Sequence, residues 1–226
     1  MSALDPRHPV SVWLALPQSI NCFDAGRLDE AERERFSALR SRRRRDEFAV
    51  SRALLDHVAV PQGAVSSLSH SDGFAALAWR AGDDALGLDL ERHKPRDVLS
   101  VARFVYSDTE SFELASLPES QRLRHFYTLW VMKEALAKAL QLNLMDALSQ
   151  CVFTKMPHEW RGLVPTAQPW RVVVFEPEAD LSLAVACVGK DAAESRIESA
   201  EWPPAREVDW PVAAIIAAWT GSTGRL

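Results

Sequence analysis

The segment Ala85-Leu-Gly-Leu-Asp-Leu-Glu91, set against a later helical segment, restricts this chain more than any other feature. It reads as the end of a strand, and side chains two apart on a strand share a face, so Asp89 and Glu91 project together. Downstream, Phe126-Tyr-Thr-Leu-Trp-Val-Met-Lys-Glu-Ala-Leu-Ala-Lys-Ala-Leu140 reads as a helix. Residues four apart line one side of a helix, which places Phe126, Trp130, Glu134 and Lys138 in a single row. Packing that row over the strand end brings three carboxylates and one ammonium to one place. Such a cluster suits a hard cation such as Mg²⁺ carrying a phosphate ligand.

Composition sets the outer bounds. At 226 residues the chain makes one large domain or two small ones, and 47% hydrophobic with 25% charged is ordinary globular usage. The net charge of −5 argues against a general nucleic-acid binder, which carries a basic balance. Cys22, Cys151 and Cys187 stand alone, with no C-x-x-C, as expected of a reducing cytosol and without sign of structural zinc. Met1 to Pro9 has no apolar signal core, and no apolar run is long enough to span a bilayer. The expectation is a soluble, cytoplasmic protein.

The chain repeats a rhythm. Val10 to Leu16 is a strand candidate, a helical stretch runs from about Asp29 to Val58, and strands follow at Phe74–Trp79 and Ala85–Glu91 around the turn-like Ala81-Gly-Asp-Asp84. From near Ser100 the chain reads as helical to Leu140, broken around Pro118, with Ser107-Asp-Thr-Glu110 as a capping start. Strands recur at Cys151–Thr154, Trp170–Phe175 and Leu181–Val188. Helix followed by a small antiparallel sheet, twice, predicts a pseudo-duplicated α+β fold of two similar halves. The halves would be residues 1–97 and 98–200, with a C-terminal extension at 201–226. Its apolar Val212 to Trp219 reads as a short packed helix or a mobile tail.

Each polar motif also has an ordinary reading. A strand-end Asp-x-Glu is usually a solvated edge, and Glu134 with Lys138 is an ordinary i,i+4 pair. Ser67-Leu-Ser-His70-Ser71 reads as a turn. The arginine run Arg40-Ser-Arg-Arg-Arg-Arg45, with Arg52 beyond it, is a solvated helix face or a phosphate clamp, since guanidinium groups bind phosphate oxygens bidentately.

Taken in order, the elements Arg-Arg-Arg-Asp-Glu-Phe-Ala-Val-Ser-Arg52, Leu-Ser-His70-Ser71, Gly87-Leu-Asp89-Leu-Glu91 and Trp130-Val-Met-Lys-Glu134-Ala-Leu-Ala-Lys138 resemble the 4′-phosphopantetheinyl transferase superfamily. The resemblance covers roughly Arg42 to Leu140. It implies transfer of the 4′-phosphopantetheine arm of coenzyme A to a serine of an apo acyl or peptidyl carrier protein, with release of adenosine 3′,5′-bisphosphate. It implies Asp89, Glu91 and Glu134 as Mg²⁺ ligands, Glu134 as acceptor of the serine proton, and Lys138 beside the departing bisphosphate. Ser69 and His70 match a position that contacts coenzyme A phosphate, and Arg45 and Arg52 match a basic helix of the nucleotide site. It implies a site between two halves and, with both halves in one chain, a monomer. The carriers implied serve fatty-acid, polyketide or nonribosomal-peptide synthesis, and Phe104, Val105 and Tyr106 are candidate contacts for them, with core packing as the alternative. Neither nucleic acid nor membrane is an expected partner.

One departure stands out. Many full-length members carry a Gly-Lys-Pro segment before the Ser-His element, whereas Val58-Ala-Val-Pro-Gln-Gly-Ala-Val-Ser66 contains no lysine. Either coenzyme A is then bound more weakly, or the arginine cluster meets the phosphate instead. The alternative is a module that binds coenzyme A or a carrier without transferring, since a fold does not guarantee an activity.

Overall fold

The computed structural model describes residues 10–156, 160–190, 192, 197–201 and 215–221, the last two segments as backbone only. Two four-stranded sheets form its centre. The first runs β2 (Val65–Ser71), β3 (Phe74–Arg80), β1 (Val10–Ala15) and β9 (Ile197–Glu201), antiparallel except for the parallel β1–β9 pair. The second runs β10 (Ile215–Gly221), β7 (Trp170–Glu178), β8 (Leu181–Val188) and β4 (Ala85–Arg92), antiparallel throughout.

The pleat sorts the strands' residues between cores. Val10, Val12, Leu14, Phe74, Ala76 and Ala78 of the first sheet meet Leu86, Leu88, Leu90, Leu181, Leu183 and Val185 of the second in one buried cluster. The outer face of the first sheet packs Ala15, Ala75 and Leu77 against Val50, Ala53 and Leu54 of helix α2 (Arg42–Val58). The outer face of the second packs Val172, Val174, Ala184 and Ala186 against Leu129, Met132, Ala135 and Leu136 of helix α5 (Glu119–Leu140). The order of layers is therefore helix, sheet, sheet, helix, an α+β arrangement as expected.

β4 precedes residue 97 yet pairs with β8 from Ala85 opposite Val188 to Arg92 opposite Leu181. Its leucines enter the core between the sheets, and its other face lies under α5. Gly87 makes that approach possible: a Cβ there would sit 1.9 Å from the Ala135 carbonyl oxygen and 2.7 Å from the Ala139 nitrogen. Asp89 and Glu91 continue the same face toward Glu134 and Lys138.

Three expectations need correction. The helical stretch from Asp29 is two helices, α1 (Glu30–Ala38) and α2, because Leu39 turns extended and Ser41 starts the next helix. The Asp29/Glu32 capping box opens α1, and the Arg45 guanidinium donates to the Leu39 carbonyl that ends it. The Ser67–Ser71 turn is strand β2, its serines bonded across to β4. Within the expected tail, residues 215–221 are strand rather than helix, paired with β7 at the sheet edge; residues 212–214 lie outside the described residues.

The region between β4 and α5 holds α3 (Val98–Val105) and α4 (Asp108–Ser116), and α6 (Leu144–Gln150) follows α5. The expected capping box at Ser107 and Glu110 is present. Glu110 is also fully buried, where it accepts from the Lys133 ammonium at 2.7 Å and the Phe153 backbone N–H at 2.9 Å. Lys133 donates a second bond to the Leu148 carbonyl at 2.7 Å and lies 4.6 Å over the Tyr106 ring. One ion pair thus ties α4, α5, α6 and the hairpin β5 (Val152–Lys155)–β6 (Trp160–Leu163) together, and it fixes the turn of α5 that carries Glu134.

Candidate active site

Asp89 and Glu91 on β4 and Glu134 on α5 each offer one oxygen within 4.8 Å of the others. Asp89 is 2% exposed. Its Oδ1 accepts from the Lys138 ammonium and the Ser69 hydroxyl, each at 2.9 Å. Its Oδ2 is buried and has no hydrogen-bond partner among the described residues. Glu91 Oε2 accepts from the Ser71 hydroxyl at 2.8 Å. Lys138 also donates to the Leu88 carbonyl at 2.7 Å, which holds its ammonium on β4. Of the remaining helical row, Phe126 is buried in the core and Trp130 packs on it.

The electrostatics follow from confinement. Burial pushes the Glu134 carboxyl up to about 7, and the neighbouring Asp89 charge adds to the shift. Burial, then Asp89, also raises Glu91. Like charges packed together out of water hold protons until a cation replaces them. An unpartnered buried carboxylate oxygen beside two raised carboxyls fits a divalent metal of the oxygen-binding kind.

An open cavity of about 760 Å³ borders this cluster through Glu91, Ser71 and His70. That is large enough for a cofactor-sized ligand. Its far wall is basic, with Arg35 of α1 and Arg43, Arg44 and Arg52 of α2. Arg43 is bonded to Glu47 at 2.9 Å, and Arg52 pairs with Glu32 at 2.6 Å. Arg35 and Arg44 have no ion-pair partner among the described residues, so their guanidinium groups are uncommitted. His70 Nδ1 lies 3.8 Å from Glu47 Oε2.

The structure thus gathers Asp89, Glu91, Glu134, Lys138 and Ser69 at one point, and sets His70 and Arg52 along the adjoining cavity. Ser69 is turned toward Asp89, and Arg45 is bonded to the end of α1 and is not part of the cavity wall. Arg43 and Arg44 belong to the arginine run offered as a phosphate clamp, whereas Arg35, Glu47 and Ser71 carry no role in the sequence analysis. The spacing of Arg44, Glu47, Phe48 and Ser51 at i, i+3, i+4, i+7 was the available signal, since it defines one helical face, and Arg45 lies about a hundred degrees around the helix from its Arg44–Ser51 centre. Among the candidate carrier contacts, Phe104 is 85% exposed while Tyr106 is buried in the core.

The family model described as the 4′-phosphopantetheinyl transferase superfamily matches residues 85–186, from the start of β4 through most of β8. The chain is 31% identical over 128 residues to the 4′-phosphopantetheinyl transferase HetI of Nostoc sp. (strain PCC 7120), covering 56% of this chain and 53% of that protein. It is 40% identical over 83 residues to the 4′-phosphopantetheinyl transferase psf-1 of Bacillus pumilus, covering 37% and 34%. It is 32% identical over 94 residues to the 4′-phosphopantetheinyl transferase pptA of Paxillus involutus, covering 34% and 36%. The matches thus span between a third and about half of these relatives' lengths. The matched segment 85–186 carries all three carboxylates and Lys138, so it is this part of the chain that is similar to the 4′-phosphopantetheinyl transferase superfamily.

Proposed function

We propose that this protein transfers the 4′-phosphopantetheine arm of coenzyme A to a serine of an apo carrier protein. The observation that carries the reading is the junction of a three-carboxylate cluster with an arginine-lined cavity of about 760 Å³. Asp89, Glu91 and Glu134 would hold Mg²⁺. When bound, that ion would neutralise phosphate charge and orient the reacting phosphorus.

The chain's own residues supply the remainder. In the transfer, the carrier serine oxygen bonds to the phosphorus that bears the pantetheine arm, and the bond from that phosphorus to adenosine bisphosphate breaks. Glu134 receives the serine proton as general base, being the carboxylate that α5 brings to the cluster. Lys138, fixed between Leu88 and Asp89, sets a positive charge beside the leaving bisphosphate. Arg35 and Arg44 take the nucleotide's phosphate in place of the absent lysine, being the uncommitted guanidinium groups of the cavity wall. His70 borders the path between that wall and the carboxylates.

Both sides of the cluster come from one chain, so the active form is a monomer, and a trimeric mass in light scattering would contradict this. The exposed Phe104 on α3 and Phe112 on α4 offer an apolar landing surface for the carrier. No helix among the described residues is long and apolar enough to cross a membrane, and the free cysteines suit a reducing cytoplasm.

Chromatographic detection of adenosine 3′,5′-bisphosphate tests the reaction. Formation that requires coenzyme A, an apo carrier and Mg²⁺ together is expected. Tight coenzyme A binding with no bisphosphate from any carrier would instead favour a binding module, the reading that the lysine-free interval Val58–Ser66 supports.

A further inference from the structure

β2 and β4 are edge strands of different sheets, and they meet through serine side chains rather than a backbone ladder. Ser67, Ser69 and Ser71 alternate along β2 and so share one face. The Ser67 hydroxyl accepts the Leu88 N–H at 2.9 Å, and the Ser71 hydroxyl accepts the Arg92 N–H at 3.1 Å. These bonds satisfy outward-pointing amides of β4 that β8 does not reach.

The same stripe reaches the carboxylates. A backbone N–H can only donate, so the Ser71 hydroxyl spends its acceptor capacity on Arg92 and directs its proton to Glu91 Oε2 at 2.8 Å. Ser69 donates to Asp89 Oδ1, an oxygen already held by Lys138. Each carboxylate therefore has one oxygen tied down. The other oxygen, Asp89 Oδ2 in one case and Glu91 Oε1 in the other, has no protein donor among the described residues. Ser71 is 6% exposed, which leaves its rotamer little freedom.

We propose that Ser71 is a positioning residue for cation binding: it ties one oxygen of Glu91 and leaves the other presented beside the free oxygen of Asp89. The inference rests on the reading that Asp89, Glu91 and Glu134 hold a divalent ion. It assigns β2 a role in building the cation site, which the Ser-His element would otherwise be expected to fill only as a nucleotide contact. Ser67 is the built-in comparison, because it makes the same kind of seam bond without touching a carboxylate.

The test is titration of the full chain with Mn²⁺, following the paramagnetic resonance signal of the free aqueous ion. The wild type binds, and Asp89→Ala does not. Ser71→Ala binds about ten- to a hundredfold more weakly, the usual cost of losing a group that orients a ligand. Ser71→Thr, which keeps the hydroxyl, retains most of the affinity. Ser67→Ala loses thermal stability but binds Mn²⁺ as the wild type does. Wild-type affinity in Ser71→Ala, or equal loss in Ser67→Ala, would overturn the positioning role while leaving the metal site standing. A wild type that does not bind Mn²⁺ at all would remove the metal reading and this inference with it.

Discussion

Replacing Gly87 by alanine attacks a place where the backbone of β4 comes close to the backbone of α5. The added Cβ would lie 1.9 Å from the Ala135 carbonyl oxygen, where ordinary contact begins at 3.4 Å, so strand and helix must separate by about 1.5 Å. No flexible side chain can yield, because the opposing atoms are the Ala135 carbonyl and the Ala139 amide nitrogen. Overpacking of this kind costs about 1–3 kcal/mol and sometimes more, and a rigid backbone on both sides places Gly87→Ala near 3 kcal/mol. With a urea dependence of about 2–3 kcal/mol per molar, the unfolding midpoint falls by about 1 M or more. The displacement also draws Glu134 and Lys138 away from Asp89 and Glu91, so divalent-ion affinity falls along with stability. Urea unfolding with and without Mg²⁺ measures both effects. Trimming the α5 side chain with Ala135→Gly does not relieve the clash. A Gly87→Ala midpoint equal to the wild type, or rescue by Ala135→Gly, would refute the close-approach argument.

Glu134 predicts a pH signature. Its carboxyl is raised in the folded state, so the unfolded chain loses that proton first. The group therefore weakens the metal-free fold as pH rises from about 4.5 to about 7, and Mg²⁺ offsets the loss. Calorimetry in buffers of different ionisation enthalpy should show proton release on Mg²⁺ binding near neutrality, and Glu134→Gln should abolish most of it. Arg44→Ala should weaken coenzyme A binding by about tenfold or more, as expected for loss of a charge-assisted bond, while Arg45→Ala leaves the affinity near wild type. Equilibrium dialysis with labelled coenzyme A distinguishes the two. Lys133→Met should destabilise the fold by about 3–5 kcal/mol, because it strands the buried Glu110 charge, and thermal or urea unfolding reads that directly.

The carboxylate cluster was visible before any coordinates because its information is local. Period two at Asp89 and Glu91 and period four at Glu134 and Lys138 are properties of single elements. Their convergence needed only the assumption that the elements pack together. The Ser107 capping box was readable for the same reason. Pairing between distant strands has no such local mark, so the placement of β4 beside β8 could not be read from either segment. β2 was misread because its serines resemble turn residues; their regular alternation at 67, 69 and 71 was the strand signal, meaningful only with β4 alongside. The arginine run announced a basic helix but not its phase. A shift of one residue decides whether Arg44 or Arg45 faces the cavity, and packing against the first sheet sets that rotation.

The central claim is group transfer, and intact mass spectrometry tests it most directly. A panel of apo carrier proteins would be incubated with this protein, coenzyme A and Mg²⁺, alongside an EDTA control and Glu134→Gln. The account predicts a mass gain of one phosphopantetheine arm on at least one carrier, absent with EDTA and strongly slowed by Glu134→Gln. A carrier left unmodified while the same sample binds coenzyme A would contradict it, and so would a gain that persists at the wild-type rate in Glu134→Gln.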